Sequence, residues 1–295
     1  MTKLSGREVS HSLPVAGGAS IRYKLWRTGE QPRPVIVLLH GVASNISRWS
    51  EFVEKTRLKN HWDILRIDLR GHGESLWRGK LNLNVWCKDL QQILQHEHYS
   101  QVLLIGHSLG AQTTINFASR YPSKVIGLVL IDPILGKTLV GHLKLASRFM
   151  PLLRLVVPII RVLNHMGIYR RHIPQRNLRV WDERVRETLL ETGKLAQMVE
   201  QYSSPWVDLQ YFPTSSYLQE MMEMVRPLPA LSTIEAPVLV ILSKGATYTD
   251  PKVSAELITE FRDATTAVID SYHWPLTEKP VEVREAIEAW CERLI

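Results

Sequence analysis

Two cysteines are all that the 295 residues contain, Cys87 and Cys291, too few for a disulfide framework or a cysteine-rich metal site. Each stands beside a tryptophan, Trp86 or Trp290, in a helix-like segment, so packing in a reducing compartment is expected of both. No apolar run approaches the roughly 20 residues that cross a bilayer, and the polar start MTKLSGREVSHSL lacks the apolar stretch of a secretion signal. The chain is therefore read as cytoplasmic. It shows no phosphate-cradling glycine loop, nucleic-acid motif, repeat or low-complexity segment. The HEH triplet at residues 96–98 does not set its histidines at the i, i+4 spacing of a helical zinc site. Neither a cofactor nor a metal is predicted. Acid is locally scarce as well: from Pro133 to Trp181 the sequence has nine Lys or Arg and no Asp or Glu, within a net charge of +7.

What is present is enough apolar sequence, 45% of residues, to bury a large core. REVSHSLPVAGGASIRYKLWRTG alternates on both sides of Gly17-Gly18, which predicts a hairpin at a sheet edge. Short continuous apolar runs follow, starting at Val35, Asp63, Gln101 and Val125, as fully buried parallel strands read. Helix-like segments separate them; in Asn82 to Glu97 an apolar stripe recurs at helical spacing. The alternation predicts an α/β fold with a doubly wound, mostly parallel sheet. After Ile131 it is interrupted by roughly 100 residues of helical, proline-punctuated sequence before PVLVIL resumes at Pro237. Residues 136–231 are expected to form a helical cap inserted into a catalytic domain of residues 1–135 and 232–295. A last strand from Thr266 and a helix from Val281 close the chain.

GHSLG at residues 106–110 follows a buried run and opens a helical segment, the context of a G-x-S-x-G nucleophile turn. Ser108 would be held above the sheet there, with Gly106 and Gly110 allowing strand and helix to approach. LLHGVASN ends a strand in His40-Gly41, so the Val42 and Leu109 amides are expected to receive an oxyanion. In RGHGES, His72 is read as part of a tight turn. DSYHWPLTEKP places His273 after the final strand, where a loop can carry its ring to the sheet top as a general base.

These motifs resemble the α/β-hydrolase superfamily, in particular the serine hydrolases with a cap between the sixth and seventh strands. That likeness implies an oxyanion loop at His40-Gly41, a nucleophile at Ser108 and a base at His273. It departs at the acid. Similar proteins set an Asp a few residues beyond the seventh strand, whereas here the first is Asp250. Asp132, at the end of the sixth strand, is the alternative, used by some lipases of this type; Asp250 is preferred, because a carboxylate need only accept the His N–H and the loop can still deliver it.

The chemistry expected is ester hydrolysis through an acyl-enzyme. A lactonase or carbon-carbon bond hydrolase would use the same residues, and a low-turnover receptor would keep the fold. The partner expected is an apolar or amphiphilic small ester and not a nucleic acid; oligomeric state is not legible. In the cap, Lys144, Arg148, Arg154 and Arg161 interrupt long apolar runs, which can serve as a pocket lid, as packing, or as weak contact with an anionic membrane surface. Pro151 and Pro158 are expected to break any single long helix there. Met221, Met222 and Met224 suit an adaptable apolar wall.

Overall fold

A computed structural model describes residues 6–27, 29, 33–135, 138–140, 144–145, 147–193, 199–200, 202–245 and 247–294. Eight strands form one sheet: β1 (Arg7–Val15), β2 (Ala19–Arg27), β3 (Val35–Leu39), β4 (Asp63–Ile67), β5 (Val102–His107), β6 (Val125–Ile131), β7 (Val238–Ser243) and β8 (Ala264–Ile269). Their spatial order is β1-β2-β4-β3-β5-β6-β7-β8. The hairpin β1–β2 is antiparallel and turns at Gly17 and Gly18, whose φ of +88° and +82° only glycine adopts without strain. From β4 through β3 to β8 every pairing is parallel. β8 begins at Ala264, two positions before the sequence pattern becomes apolar, because it is an edge strand whose early residues face solvent.

The central strands are buried on both faces, and alternate residues divide between two cores. Val35, Val37, Leu39, Val102 and Leu104 pack with α2 (Leu83–His96) and α3 (Leu109–Arg120). Ile36, Leu38, Leu103 and Ile105 pack with α1 (Ser50–Lys55) and the C-terminal α10 (Pro280–Cys291). Cys87 and Cys291 are free thiols, one in each core. The one acid on the apolar stripe of α2, Asp89, is buried because Arg70 forks onto it, with Nε and Nη2 donating over 2.9 and 2.5 Å.

Between β6 and β7 lie α4 (Met150–His165), α5 (Leu178–Thr192), α6 (Pro205–Tyr211) and α7 (Thr214–Met224). The expectation that prolines break the first of these is corrected: α4 runs through Pro158. Pro151 sits in the first turn, where its missing N–H is not needed, and Pro158 removes one bond from a helix with two further turns to follow. α7 is pinned to the body by its polar side chains. Gln219 accepts from Leu81 N and Glu223 from Leu83 N, at 2.8 and 3.0 Å. After β7 come α8 (Pro251–Ile258) and, after β8, the short α9 (Pro275–Glu278). Among the described residues no helix is long and apolar enough to cross a membrane.

Candidate active site

Three loops meet at the C-terminal ends of the parallel strands. At the β5–α3 turn, Ser108 has φ +52° and ψ −114°, a conformation that L residues avoid and that places its side chain above the sheet. The crossing is possible only without side chains: a Cβ on Gly106 would meet the Gly110 carbonyl carbon at 2.4 Å, and one on Gly110 the Leu39 oxygen at 2.3 Å.

His273 Nε2 lies 3.0 Å from Ser108 Oγ. The backbone of His273 is held by a residue inside the nucleophile motif, since His107 Nε2–H donates to the His273 carbonyl over 2.9 Å. Tyr248 and Trp274 press edge-on against the imidazole, ring centres 4.8 and 5.7 Å away. Burial, reinforced by the neighbouring His107, holds the His273 imidazole neutral well below the usual histidine range. Neutral Nε2 can therefore accept the serine proton.

On the other side of the ring, His273 Nδ1 faces Asp132 Oδ2 at 3.6 Å. Asp132 follows β6 with φ +43°, and Ser243 at the end of β7 fastens it: the Ser243 amide donates to Oδ1 over 2.7 Å and its Oγ to Oδ2 over 2.5 Å. Burial pushes the Asp132 carboxyl up to about 7 against these donors. The sequence preference for Asp250 does not match this geometry. Asp250 is the N-cap of α8, accepting from Lys252 N at 2.9 Å and Val253 N at 3.4 Å, so its lone pairs serve the helix end.

Val42 lines the cavity at Ser108, and Leu109 opens α3. Among the described residues neither amide donates to a protein acceptor, which leaves both free for a substrate oxygen. The loop that carries Val42 is braced from below. The His40 ring donates from Nδ1 to the Gly41 carbonyl over 2.8 Å and accepts at Nε2 from Leu69 N over 3.1 Å. It is also braced from above, where the buried Glu220 of α7 accepts from Ala43 N over 3.2 Å and faces His72 Nε2 at 3.1 Å. His72 thus stands in the turn and against Glu220, away from the nucleophile. Burial opposes its charge, but Glu220 together with Asp68 and the Arg70 backbone raises its pKa.

The cavity above Ser108 measures about 140 Å³ and is walled by Tyr202, Asp208, Tyr217, Met221, Met224 and Tyr248. Four wall residues named by no motif are Tyr202, ahead of α6, Asp208 on α6, Tyr217 on α7 and Tyr248 on the approach to α8. Asp208 is the least expected: a carboxylate in a mostly apolar wall, pushed by burial up to about 7. Ser243, His107 and Glu220 were not legible as site residues, since each acts through a neighbour brought close only by the fold, and Asp208 meets the cavity from a helix that no motif marks. A serine directly after a buried strand, opposite the Asp ending the adjacent strand, was the only available signal.

A family model of the alpha/beta hydrolase fold matches residues 34–280. The chain is 34% identical over 99 residues to a putative esterase/lipase of Haemophilus influenzae, spanning 34% of each protein. It is 24% identical over 265 residues to the sn-1-specific diacylglycerol lipase ABHD11 of Mus musculus, covering 89% of this chain and 82% of that one. Among solved structures, the alpha/beta hydrolase MGS-M2 from a Medee basin deep-sea metagenome library superposes with a TM-score of 0.68 at 19% identity, over 96% of this chain and 97% of that one. The eight-stranded sheet, the glycine-flanked serine turn and a family match over most of the sequence make the chain a member of the alpha/beta hydrolase fold family.

Proposed function

We propose that the protein is a serine hydrolase that cleaves carboxylic esters of apolar or amphiphilic substrates through an acyl-enzyme, with residues 136–231 acting as a cap over a catalytic body of residues 1–135 and 232–295. The observation that carries this reading is Ser108 Oγ at 3.0 Å from a buried His273 Nε2, on a strained turn. His273 takes the Ser108 proton as the hydroxyl attacks the ester carbonyl. The oxygen, now negative, is held by the Val42 and Leu109 amides, and each such donor contributes about 3 kcal/mol to the barrier reduction. Protonated His273 then gives its proton to the leaving alcohol, with Asp132 stabilising the imidazolium. Water attacks the acyl group by the same route, and the carboxylic acid leaves. The esterase and lipase names of the relatives support this chemistry. Two buried free thiols fit a reducing compartment, so we place the enzyme in the cytoplasm.

The test is covalent labelling with a fluorophosphonate, followed by hydrolysis of a panel of simple esters. Wild type should label and turn over, and Ser108→Ala should do neither, losing about 10⁴ to 10⁶ in turnover while keeping its fold. A Ser108→Ala protein with more than about a tenth of wild-type turnover would overturn the reading.

A further inference from the structure

Helix α4 carries its apolar side outward. Leu152, Leu155, Ile159, Val162 and Met166 recur at alternating spacings of three and four, which sets them in one stripe along the helix and its cap. Leu155 is 70% exposed, Ile159 61% and Met166 67%. The opposite side, with the buried Met150 and Val157, meets the protein, and α4 packs on α7, whose Tyr217, Met221 and Met224 wall the Ser108 cavity. A lid that closed over its own pocket would bury this stripe; here it faces solvent.

One flank of the stripe is basic. Arg154, Arg161 and His165 follow at spacings of seven and four, on a line adjacent to Val162. Beside that flank lies a cleft of about 680 Å³ between α4 and the loop at residues 76–79, lined by Trp77, Arg78, Arg161, Val162, His165 and Tyr169 among others. No carboxylate stands among the described residues that line it. Two residues that line it carry a nitrogen without an acceptor, Trp77 Nε1 and Arg161 Nε, each closed off from solvent. Such groups cost free energy where they stand, and a shift of either side chain toward an oxygen in the cleft would relieve it. Arg78 is held over the Tyr169 ring at 4.2 Å and donates to the Arg170 carbonyl over 3.1 Å, which fixes its guanidinium at the cleft. The surrounding sequence adds cations without acids from Pro133 to Trp181.

An exposed apolar stripe beside a cationic cleft with orphaned donors matches one surface chemistry, hydrocarbon next to anionic oxygen. We propose that α4 and this cleft dock the protein on an anionic lipid bilayer, the stripe entering the interface and the cleft taking a headgroup oxygen. Docking would set the Ser108 cavity, one helix away, next to the phase in which amphiphilic esters concentrate. Binding itself requires no turnover.

The test uses the full chain with Ser108→Ala, so that lipid is not consumed, sedimented with vesicles of phosphatidylcholine alone or mixed with phosphatidylserine, at low and high salt. Binding should favour the anionic vesicles and weaken with salt, because exposed charges are screened. Leu155→Glu and Ile159→Glu, both at exposed positions, should abolish it. Arg161→Gln and Arg78→Gln should each weaken it about fivefold, as expected for one cation at a charged surface. In the Ser108-containing background all four variants should hydrolyse a soluble short ester at the wild-type rate, which reports an intact fold. Sedimentation equal on both vesicle types, or none on either, overturns the proposal. So does protection of the cleft by inorganic phosphate without vesicle binding, which would mean a site for a free anion. A dimer in solution that Leu155→Glu dissolves, with no lipid binding, would assign the stripe to a second copy and overturn it too. Loss of vesicle binding with esterase activity intact leaves the hydrolase reading standing, and the reverse result leaves the docking surface.

Discussion

Asp132 Oδ2 stands 3.6 Å from His273 Nδ1, across the ring from the nitrogen that meets Ser108. Asp250, the other acid considered, is occupied at the end of a helix. Asp132→Asn should therefore lower turnover by about 10⁴, by removing the charge that stabilises the imidazolium. Asp250→Asn should leave turnover within about threefold and cost a few tenths to one kcal/mol of stability, since Asn is itself a good cap. Steady-state kinetics on one soluble ester separate the two. A dead Asp250→Asn beside an active Asp132→Asn would restore the assignment to Asp250.

Ser243 is a positioning residue in the same frame, because its hydroxyl lies 2.5 Å from Asp132 Oδ2. Ser243→Ala keeps the amide that donates to Oδ1 and removes one of two donors. Turnover should fall about tenfold, the effect of one hydrogen bond of ordinary strength, with KM little changed. Loss as large as that of Asp132→Asn would mean that Ser243 touches substrate instead.

The pH profile follows from the directions of two shifts. Burial and His107 keep His273 neutral well below the usual imidazole range, so base competence alone would persist into mild acid. Burial raises Asp132 to about 7, and only its ionised form stabilises the imidazolium. Activity should therefore rise with pH through about 7, as a titration of the pair rather than of free histidine near ~6.5. In Asp132→Asn the residual activity should lose this limb, leaving a descent only at lower pH. An unchanged limb in that variant, or a wild-type rate flat down to about pH 5, would contradict the assignment.

The parts of this arrangement written as local patterns were legible beforehand. Short segments fixed β3 and β4 to the residue: VIVLL is apolar throughout, as a strand buried on both faces reads, and DILRI keeps three apolar residues in five. Ser108 and His273 were legible because each needs a fixed backbone context, a strand-to-helix turn and a loop after the last strand. Asp132 over Asp250 was not, because a carboxylate needs only to reach one N–H, and that distance depends on how β6 and β7 register. The continuity of α4 through Pro158 was likewise hidden, since packing of its inner face on α7 offsets the lost hydrogen bond.

A fully buried ion pair joins the body to α5, beside the more exposed pairs Arg179–Glu54 and Arg186–Glu51. Arg48 Nη1 donates to Asp182 over 2.5 Å and to Thr277 Oγ1 over 2.5 Å, and Tyr202 of the cavity wall donates to the same carboxylate over 2.6 Å. Asp182→Ala strands a buried guanidinium and should cost about 3 to 5 kcal/mol, read from the denaturant midpoint. Replacing both partners, Arg48→Met with Asp182→Leu, should recover most of it. If the double variant were as unstable as the single one, the pair would be more than a paired charge.

The size of the cavity bears on the ester itself. About 140 Å³ is close to the volume of an engineered protein cavity that takes up benzene, so in solution the acyl pocket should fit groups of up to about six carbons. Met221 closes one wall, and an unbranched side chain of this kind can be shortened without disturbing backbone. Across p-nitrophenyl esters from acetate to dodecanoate, kcat/KM should peak at short to medium chains and fall beyond them, by about tenfold for every two unaccommodated methylenes. Met221→Ala removes three heavy atoms from the wall and should move the peak outward by two or three carbons, with KM for the longer esters falling more than kcat rises. Both effects require the acyl chain to lie against α7. Equal rates across the series, or a peak that stays in place in Met221→Ala, would direct the chain elsewhere and leave α7 as the wall of the alcohol side.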